Sequence, residues 1–464
     1  MEPAAVLIKN KIFNHSRRED MQLITDIFLK NRYEIFLVGG AVRDLLLGRE
    51  VYDFDFATNA RPEQVNRLFE RTVPTGIRHG TVSVLLNKNS YEITTYRTDG
   101  VYSDSRHPDE VCFSQKIEDD LSRRDFTINA LAYDLKDQNI IDLFSGLADL
   151  EAGVIRTIGK ADDRFREDAL RMIRACRFSA QLGFFIETET ASAIFSNAGL
   201  IQNLSNERIR DELIKTVMSV KPSTGFENLR QTGILKIILP ELDSGWGVMQ
   251  NKFHKYDVYY HNLYSLDAVE STDYRMRLAA LLHDIGKPNT KKHNSDSEES
   301  VFYNHECIGA KIASKILRRL KFSNQDIDYI SHLIRYHMFY YTEEWTDGAV
   351  RRFIRNVGLE NIEALFELRR ADRIGNGTKS EECLPISRFK EKIRRILEKD
   401  NAFSLKDLQI NGKILMAKFS LSPSPLLGNT LKYLLECVLD NQEFNTEEKL
   451  LELAAEYLAD KKQY

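Results

Sequence analysis

Asp53 and Asp55 stand two residues apart within residues 52–57, whose alternation predicts a strand. Residues two apart on a strand point to the same face, so both carboxylates look the same way. Two like charges that close are costly unless a cation sits between them, and hard oxygen ligands beside phosphates suit Mg²⁺. Just upstream, the apolar run Ile35, Phe36, Leu37, Val38 ends at Gly39-Gly40, a strand entering a tight turn. Residues 41–47 then have helical spacing, with Arg43 and Asp44 at the start and Gly48 as the stop. Backbone N–H groups at such a turn, with Gly40 and Arg43 beside them, form a phosphate cradle. Alone, an Asp-x-Asp is usually a solvated strand edge and a Gly-Gly usually a plain turn. Together they point to nucleotidyl transfer.

The elements around them must supply a scaffold. The 464-residue chain has length for roughly two to four domains and ample core. Its 42% hydrophobic and 29% charged residues are ordinary for a soluble globular protein. The net charge of −4 means that any nucleic-acid surface is a local patch. Five scattered cysteines (Cys112, Cys176, Cys307, Cys383, Cys437) lack paired spacing and fit reduced thiols of a cytoplasmic protein. The N-terminus lacks the apolar core of a signal peptide and no run is long enough to span a membrane, so no membrane partner is expected. Nothing in the pattern speaks to the oligomeric state.

In chain order, residues 15–34 read as an amphipathic helix carrying Met21, Ile24, Ile27 and Phe28. Residues 62–69 form a helix with Pro62 near its start. Strands at 81–86 and 91–96, joined through Asn87-Lys88-Asn89, suggest a hairpin. Glu92 on the second strand is either a third carboxylate for the metal or an ordinary strand glutamate. Residues 98–108 are polar and turn-rich, a mobile loop. Residues 118–133 read as a charged start running into an apolar helix, with Arg123, Arg124 and Asp125 at its head. A strand at 140–143 closes a sheet-plus-helix head, after which the pattern is helical to the end.

Helix 166–182 carries Asp168 and Arg171 three residues apart, with Arg174 and Arg177 continuing the spacing. Such a row is most often a surface ion-pair ladder. The functional alternative is base selection. Cytosine and adenine both present an amino donor beside a ring-nitrogen acceptor, so a fixed carboxylate next to a fixed guanidinium accepts them and rejects uracil and guanine.

These motifs, in this order, resemble the nucleotidyltransferase signature of the DNA polymerase β superfamily. More narrowly the chain resembles the class II tRNA nucleotidyltransferases (CCA-adding enzymes) and bacterial poly(A) polymerases. The likeness covers residues 36–213 and includes RRDFT-NA at 123–130 and EDxxR at 167–171. Residues 77–84 (IRHGTVSV) are closer to the CCA-adding branch. The resemblance implies an α+β fold: a head over residues 20–150, a base-selecting neck over 151–215, a helical body over 216–385 and a tRNA-binding tail over 386–464. It also implies two Mg²⁺ on Asp53 and Asp55. Gly40, Arg43 and Arg124 would cradle phosphates, with Arg174 and Arg177 holding triphosphate or primer. Asp168 and Arg171 would serve as a protein template for CTP and ATP. The loop with Asp104, Arg106, His107 and Pro108 would be needed for the A step. The tail, basic at its start and similar at 407–412 and 427–440 to the tail of Gram-positive-type enzymes, would brace the tRNA elbow. The acceptor stem would be read by shape. An A-adding or poly(A) enzyme is the alternative of the same class. A non-catalytic RNA-binding protein fits poorly with an intact Asp pair.

A second constellation lies at 278–287, LAALLHDIGK, where His283-Asp284 ends an apolar helix. With His261, His305, His337 and Asp372 on separate predicted helices, the order H…HD…H…H…D resembles the HD superfamily of metal-dependent phosphohydrolases. Four of only ten histidines fall at these places. An HD insert over about residues 250–375 is therefore expected, with a divalent ion (Mn, Ni, Fe or Mg) and, as a rival function, hydrolysis at RNA ends or nucleotides. His254, His293 and His332 are spare histidines. Inserted domains often keep such a fold and lose its chemistry, which leaves activity open.

Overall fold

Apolar residues on both faces of a short strand place it inside a sheet, and all four residues of β1 (Ile35–Val38) are buried. In the computed structural model, which describes residues 3–76, 80–99, 111–251, 254–293, 300–378, 384–399 and 403–461, β1 lies within a seven-stranded mixed sheet. The order is β3-β4-β5-β2-β1-β8-β9, built from β2 (Asp55–Thr58), β3 (Thr72–Gly76), β4 (Thr81–Leu86), β5 (Asn89–Thr95), β8 (Leu131–Asp134) and β9 (Asn139–Asp142). Between them β6 (Arg97–Asp99) and β7 (Val111–Phe113) form a separate two-stranded pair. β2 and β5 run parallel while the other neighbours in the large sheet run antiparallel. β4 and β5 are joined by Asn87-Lys88, both at positive φ, the geometry that a two-residue hairpin turn requires.

The chain divides into two units, Met1–Asp243 and Ser244–Tyr464. The first carries the sheet with α1 (Ala4–Phe13), α2 (Arg18–Lys30), α3 (Gly40–Leu46), α4 (Pro62–Leu68), α5 (Ile117–Ser122) and α6 (Gly146–Ala152). It continues into α7 (Ala161–Glu167), α8 (Leu170–Leu182), α9 (Thr188–Asn197), α10 (Asn206–Val217), α11 (Pro222–Gln231), α12 (Ile234–Ile238) and α13 (Pro240–Asp243). The second unit holds α14 (Val258–Asp267), α15 (Tyr274–Leu282), α16 (Lys287–Thr290), α17 (His305–Arg319), α18 (Asn324–Tyr336), α19 (Asp347–Val357) and α20 (Ile362–Gly375). Four more helices follow: α21 (Leu384–Lys399), α22 (Gly412–Phe419), α23 (Pro425–Asp440) and α24 (Glu447–Lys461). The fold is α+β. Among the described residues no helix is long and apolar enough to cross a membrane.

Four local expectations are corrected. Asp53 precedes β2 instead of lying on it. On the β1 side pairing ends at Leu37↔Phe56, beyond which Gly39 turns the chain away at φ 68°, and β5, which continues back to Asn89, pairs there with β4 and not with residues 51–54. Residues 126–133 are not helical. They form a short 3₁₀ turn at Thr127–Asn129 and then β8, whose burial on both faces makes its apolar run indistinguishable from a buried helix by periodicity. Residues 166–182 are two helices, broken at Asp168, whose φ −145° and ψ 104° are extended. Strand pairing also persists beyond residue 150. Val154–Ile155 (β10) pairs with Phe185–Ile186 (β11), and Lys292–His293 (β12) with Ser300–Val301 (β13). The loop with Asp104, Arg106, His107 and Pro108 lies outside the described residues, as do residues 77–79.

The start of α6 presses on the 3₁₀ turn that carries Asn129: a Cβ on Gly146 would stand 2.3 Å from the Thr127 carbonyl oxygen. Neither backbone segment is a flexible side-chain end, so Gly146→Ala must displace one of them. A destabilisation of about 1–3 kcal/mol is expected, read as a lower thermal midpoint, with nucleotide incorporation falling as Asn129 moves.

Candidate active site and a buried histidine cluster

β2 and β5 run in parallel register with Asp55 opposite Glu92, so two carboxylates stand side by side at the exposed end of the strands. Asp53 lies just before β2, exposed. Asp55 is pushed up to about 6, first by the protein packed around it and then by Glu92, with Arg124 opposing and Asp53 adding. A concentration of negative charge that cannot comfortably ionise suits a divalent cation. The charge pattern fits a metal.

Across from these groups, Gly39 has φ 68°, and a Cβ there would fall 2.6 Å from Arg124 Nη1, so the turn needs glycine for two reasons. Arg43 leaves α3 buried. It donates to Asp44 (2.9 and 2.8 Å) and to Asn129 Oδ1 (2.6 Å). Arg124 is anchored by the buried Asp120 at 3.1 Å and by the Asn129 carbonyl at 3.3 Å. Gly40, Arg43, Asp55, Arg124, Asp168, Arg171, Arg174 and Arg177 all line one cavity of about 510 Å³.

A buried polar chain links the sheet to the helices behind it. Asn129 Nδ2 donates to Asp125 Oδ1 at 2.9 Å, and Arg174 Nε donates to Asp125 Oδ2 at 2.8 Å. Burial alone would raise the Asp125 carboxyl, but Arg174 and the amide of Asn129 hold it down at about 2. Arg177 Nε donates to Glu212 Oε2 at 2.6 Å. Asp168 and Arg171 share the cavity but do not pair with each other. Asp168 accepts from Leu170 N at 3.0 Å and from Arg208 Nη2 at 2.8 Å. Arg171 donates to Glu167 at 2.7 Å and to the Arg123 carbonyl at 2.9 Å. Asn129, Asp120, Glu167, Arg208 and Glu212 were not singled out from sequence. Arg208 and Glu212 lie near the end of the span 36–213 that carries the resemblance, and their charge at helical spacing is the available signal.

In the second unit, α14, α15, α17, α18 and α20 bring His261, His283, Asp284, His305, His337 and Asp372 together, all buried. His261 Nε2 lies 3.0 Å from His283 Nε2, 3.2 Å from Asp284 Oδ2 and 3.3 Å from Asp372 Oδ1. His305 Nε2 is 3.1 Å and His337 Nε2 3.6 Å from Asp284 Oδ1. Three rings share one device: the Nδ1 of His283, His305 and His337 bonds the carbonyl three residues back, Ala280, Phe302 and Ile334, at 2.7–2.8 Å. Each ring nitrogen facing a carbonyl must carry a proton, so in the neutral ring Nε2 turns its lone pair into the cluster, the form that a metal binds. At His305 burial opposes a charge, yet Asp284 beside Nε2 pushes that imidazole up, toward its charged form. Burial pushes His283 down to about 3, with the neighbouring histidines adding to the shift. His261 Nδ1 and His337 Nε2 find no hydrogen-bond partner among the described residues. Two groups, His261/His283/Asp372 and His283/Asp284/His337, hold nitrogens and carboxylate oxygens close enough that each could take a divalent ion. Of the spare histidines, His254 packs its ring on His261, His332 bonds the Val357 carbonyl and His293 is exposed on β12.

Residues 35–156 match the family described as Poly A polymerase head domain. Residues 183–245 match the RNA- and SrmB-binding site of polymerase A, and residues 295–454 match domain 2 of tRNA nucleotidyltransferase. A CCA-adding enzyme of Latilactobacillus sakei is 36% identical over 91% of this chain and 94% of its own length. One from Lactobacillus johnsonii is 53% identical over 44% of this chain and 50% of its own, so the chain spans about half the length of several curated relatives it matches. The crystal structure of the Bacillus stearothermophilus CCA-adding enzyme in complex with CTP aligns with TM-score 0.74 and 28% identity, covering 97% of this chain and 100% of that one. The Thermotoga maritima CCA-adding enzyme complexed with tRNA shares the fold at TM-score 0.55 and 19% identity, covering 97% and 98%.

The raised Asp55 carboxyl has a measurable consequence. A carboxyl whose pKa is higher in the folded chain lends stability at low pH, and that stability is lost as pH rises through about 6. In chelator, the thermal midpoint of the wild type should therefore fall between about pH 4 and pH 7, the span from the ordinary carboxyl value to just past the raised one. Asp55→Asn, which has no charge to desolvate, should lose less over that range while incorporating no nucleotide. Parallel pH curves for the two proteins would remove the electrostatic strain.

Proposed function

We propose that this chain, which belongs to the CCA-adding enzyme family, builds the 3′-terminal CCA of tRNA from CTP and ATP without a nucleic-acid template. The observation that carries the proposal is one cavity that gathers phosphate anchors, a metal-binding carboxylate and the Asp168/Arg171 pair. Family membership implies dependence on a divalent metal. Asp53 and Asp55, with Glu92 adjacent, suit two Mg²⁺ because their crowded charge is what a hard dication relieves. When bound, such ions lower the pKa of the tRNA 3′-hydroxyl and neutralise charge on the triphosphate.

The rest falls to the chain itself. The Gly39-Gly40 amides, Arg43 and Arg124 hold the triphosphate in line with the incoming hydroxyl. Arg174 and Arg177, already balanced by Asp125 and Glu212, add positive potential to the same wall. Asp168 accepts from the exocyclic amino group of cytosine or adenine, and Arg171 donates to the neighbouring ring nitrogen. Uracil and guanine would meet these groups with like polarity, leaving buried partners unpaired. Arg208, 2.8 Å from the Asp168 carboxylate, holds it in place. The acceptor stem and elbow of tRNA are bound by shape and backbone charge, the tail from residue 386 onward contributing, in a cytoplasmic setting.

Supplying the protein with tRNA that lacks its 3′ end and one nucleotide at a time tests this. CTP should add two residues and stop, ATP should then add one, and UTP and GTP should be poor substrates. Incorporation of A alone would favour the A-adding reading. Asp168→Ala and Arg171→Ala should lower rate and relax base choice together, by ~10-fold or more in selectivity. A fall in rate with selectivity intact would remove them as the template.

The histidine cluster favours a second activity, metal-dependent hydrolysis of a phosphoester at an RNA end, such as a 2′,3′-cyclic phosphate. Its cavity of about 290 Å³ is lined by Asp284, His305, His337 and Asp372 together with Lys287 and Arg369, cations suited to phosphate. The wild type should purify with bound Mn, Ni, Fe or Mg that His283→Ala/Asp284→Ala lacks, while both proteins incorporate CTP equally. Metal without turnover on a phosphodiester would leave a structural site, and equal metal content in both would remove it.

A further inference from the structure

Asp55 is held by the sheet ladder, but Asp53 is not. It sits in residues 51–54, before β2 begins, where no strand pairing fixes the backbone. Something else must set its place, because two carboxylates can share a metal only at a fixed separation. The N-terminal helices α1 and α2, which precede the matched head region at residues 35–156, meet this loop through the turn between them.

His15 in that turn accepts the Arg17 backbone N–H at Nδ1, 3.1 Å away, so the ring proton lies on Nε2. Nε2 in turn donates to the Val51 carbonyl at 3.1 Å. The same ring stands edge-on to the buried Phe54 ring, with centroids 4.9 Å apart. Arg17 donates its guanidinium to the carbonyl of Tyr52. Both residues before Asp53 and the one after it are thus held by this single turn. One helical turn further on, the buried Asp20 accepts from Asn87 (2.7 Å), Asn89 (2.9 Å) and Tyr91 (2.6 Å), the turn and start of the strand that carries Glu92.

We infer that the α1–α2 turn is a brace that sets the distance between the Asp53 loop and the Glu92 strand, with His15 and Arg17 as positioning residues for the metal-binding carboxylates. The inference rests on the nucleotidyl-transfer reading. It assigns these side chains no contact with substrate. Their effect passes through the Val51 and Tyr52 carbonyls to the place where Asp53 stands. Outer partners that orient metal-binding groups typically change metal affinity by about 10–100-fold when removed. The effect here should therefore appear in metal dependence before it appears in nucleotide affinity.

The test uses the full-length protein with CTP and compares wild type, Asp53→Ala, His15→Ala, Arg17→Ala and two conservative variants, His15→Gln and Arg17→Lys. Mn²⁺ binding is read from the loss of the free-ion electron paramagnetic resonance signal, and the Asp53→Ala trace subtracts sites elsewhere in the chain. His15→Ala and Arg17→Ala should each bind the Asp53-dependent Mn²⁺ ~10-fold more weakly. They should also need correspondingly more Mg²⁺ for half-maximal incorporation. Their KM for CTP at saturating Mg²⁺ and their preference for C and A over U and G should match the wild type. His15→Gln and Arg17→Lys, which keep an N–H for the same carbonyls, should recover most of the lost affinity. Unchanged Mn²⁺ binding in both alanine variants would overturn the brace. So would a uniform loss that follows a lowered thermal midpoint and is not rescued by the conservative variants. Wild type binding no more Mn²⁺ than Asp53→Ala would overturn the nucleotidyl reading itself, and the brace with it.

Discussion

The Asp125 carboxylate is the joint on which the first unit depends. It is buried, held at about 2, and shared between an amide from the 3₁₀ turn and a guanidinium from α8. A buried carboxylate with one partner removed is strongly unfavourable, so neither the turn nor the helix can move without the other. Through Asn129 the constraint reaches Arg43 and the glycine turn, and α8 carries it on toward Glu212. The wall that carries Arg43 and the glycine turn and the wall that carries α8 are therefore one rigid assembly. Seven arginines line the cavity beside three carboxylates that only partly offset them, and this gives a basic pocket in a chain whose net charge is −4.

Most of the site was legible before the fold because its chemistry is carried by residue type at short spacing. Gly39-Gly40, Asp53/Asp55, Arg124 and Asp168/Arg171 each announce themselves within a few residues. What was not legible depends on partners far apart in sequence. That Asp53 lies off the strand follows from where pairing with β1 and β5 stops, which no pattern at 52–57 contains. The break at Asp168 hides in a helical periodicity that runs through it, because an aspartate can cap the start of the next helix as well as sit within one. Residues 126–133 were misread for the opposite reason. A strand buried on both faces loses the alternation that would mark it. Arg208 and Glu212 escaped notice since their roles exist only once α10 lies against α8.

The two units solve a similar problem by different means. The carboxylates of the first are exposed, and their geometry is borrowed from the sheet, the loop before it and a turn between two helices some 40 residues upstream. The four histidines of the second are buried and come from four helices or their ends, yet His283 and His337 are oriented by a carbonyl of their own helix and His305 by one just before its helix. The carboxylates of the first site face solvent. The other is enclosed and stiff.

That arrangement has a consequence for assembly. His283 and His337 take their orientation from a carbonyl of their own helix, and His305 from Phe302 just before its helix, each three residues back. The ring orientations therefore arise from local structure, with no ion needed as a template. A divalent ion of the kind proposed for this cluster would meet rings already set, and its identity would then depend on supply, not on folding history.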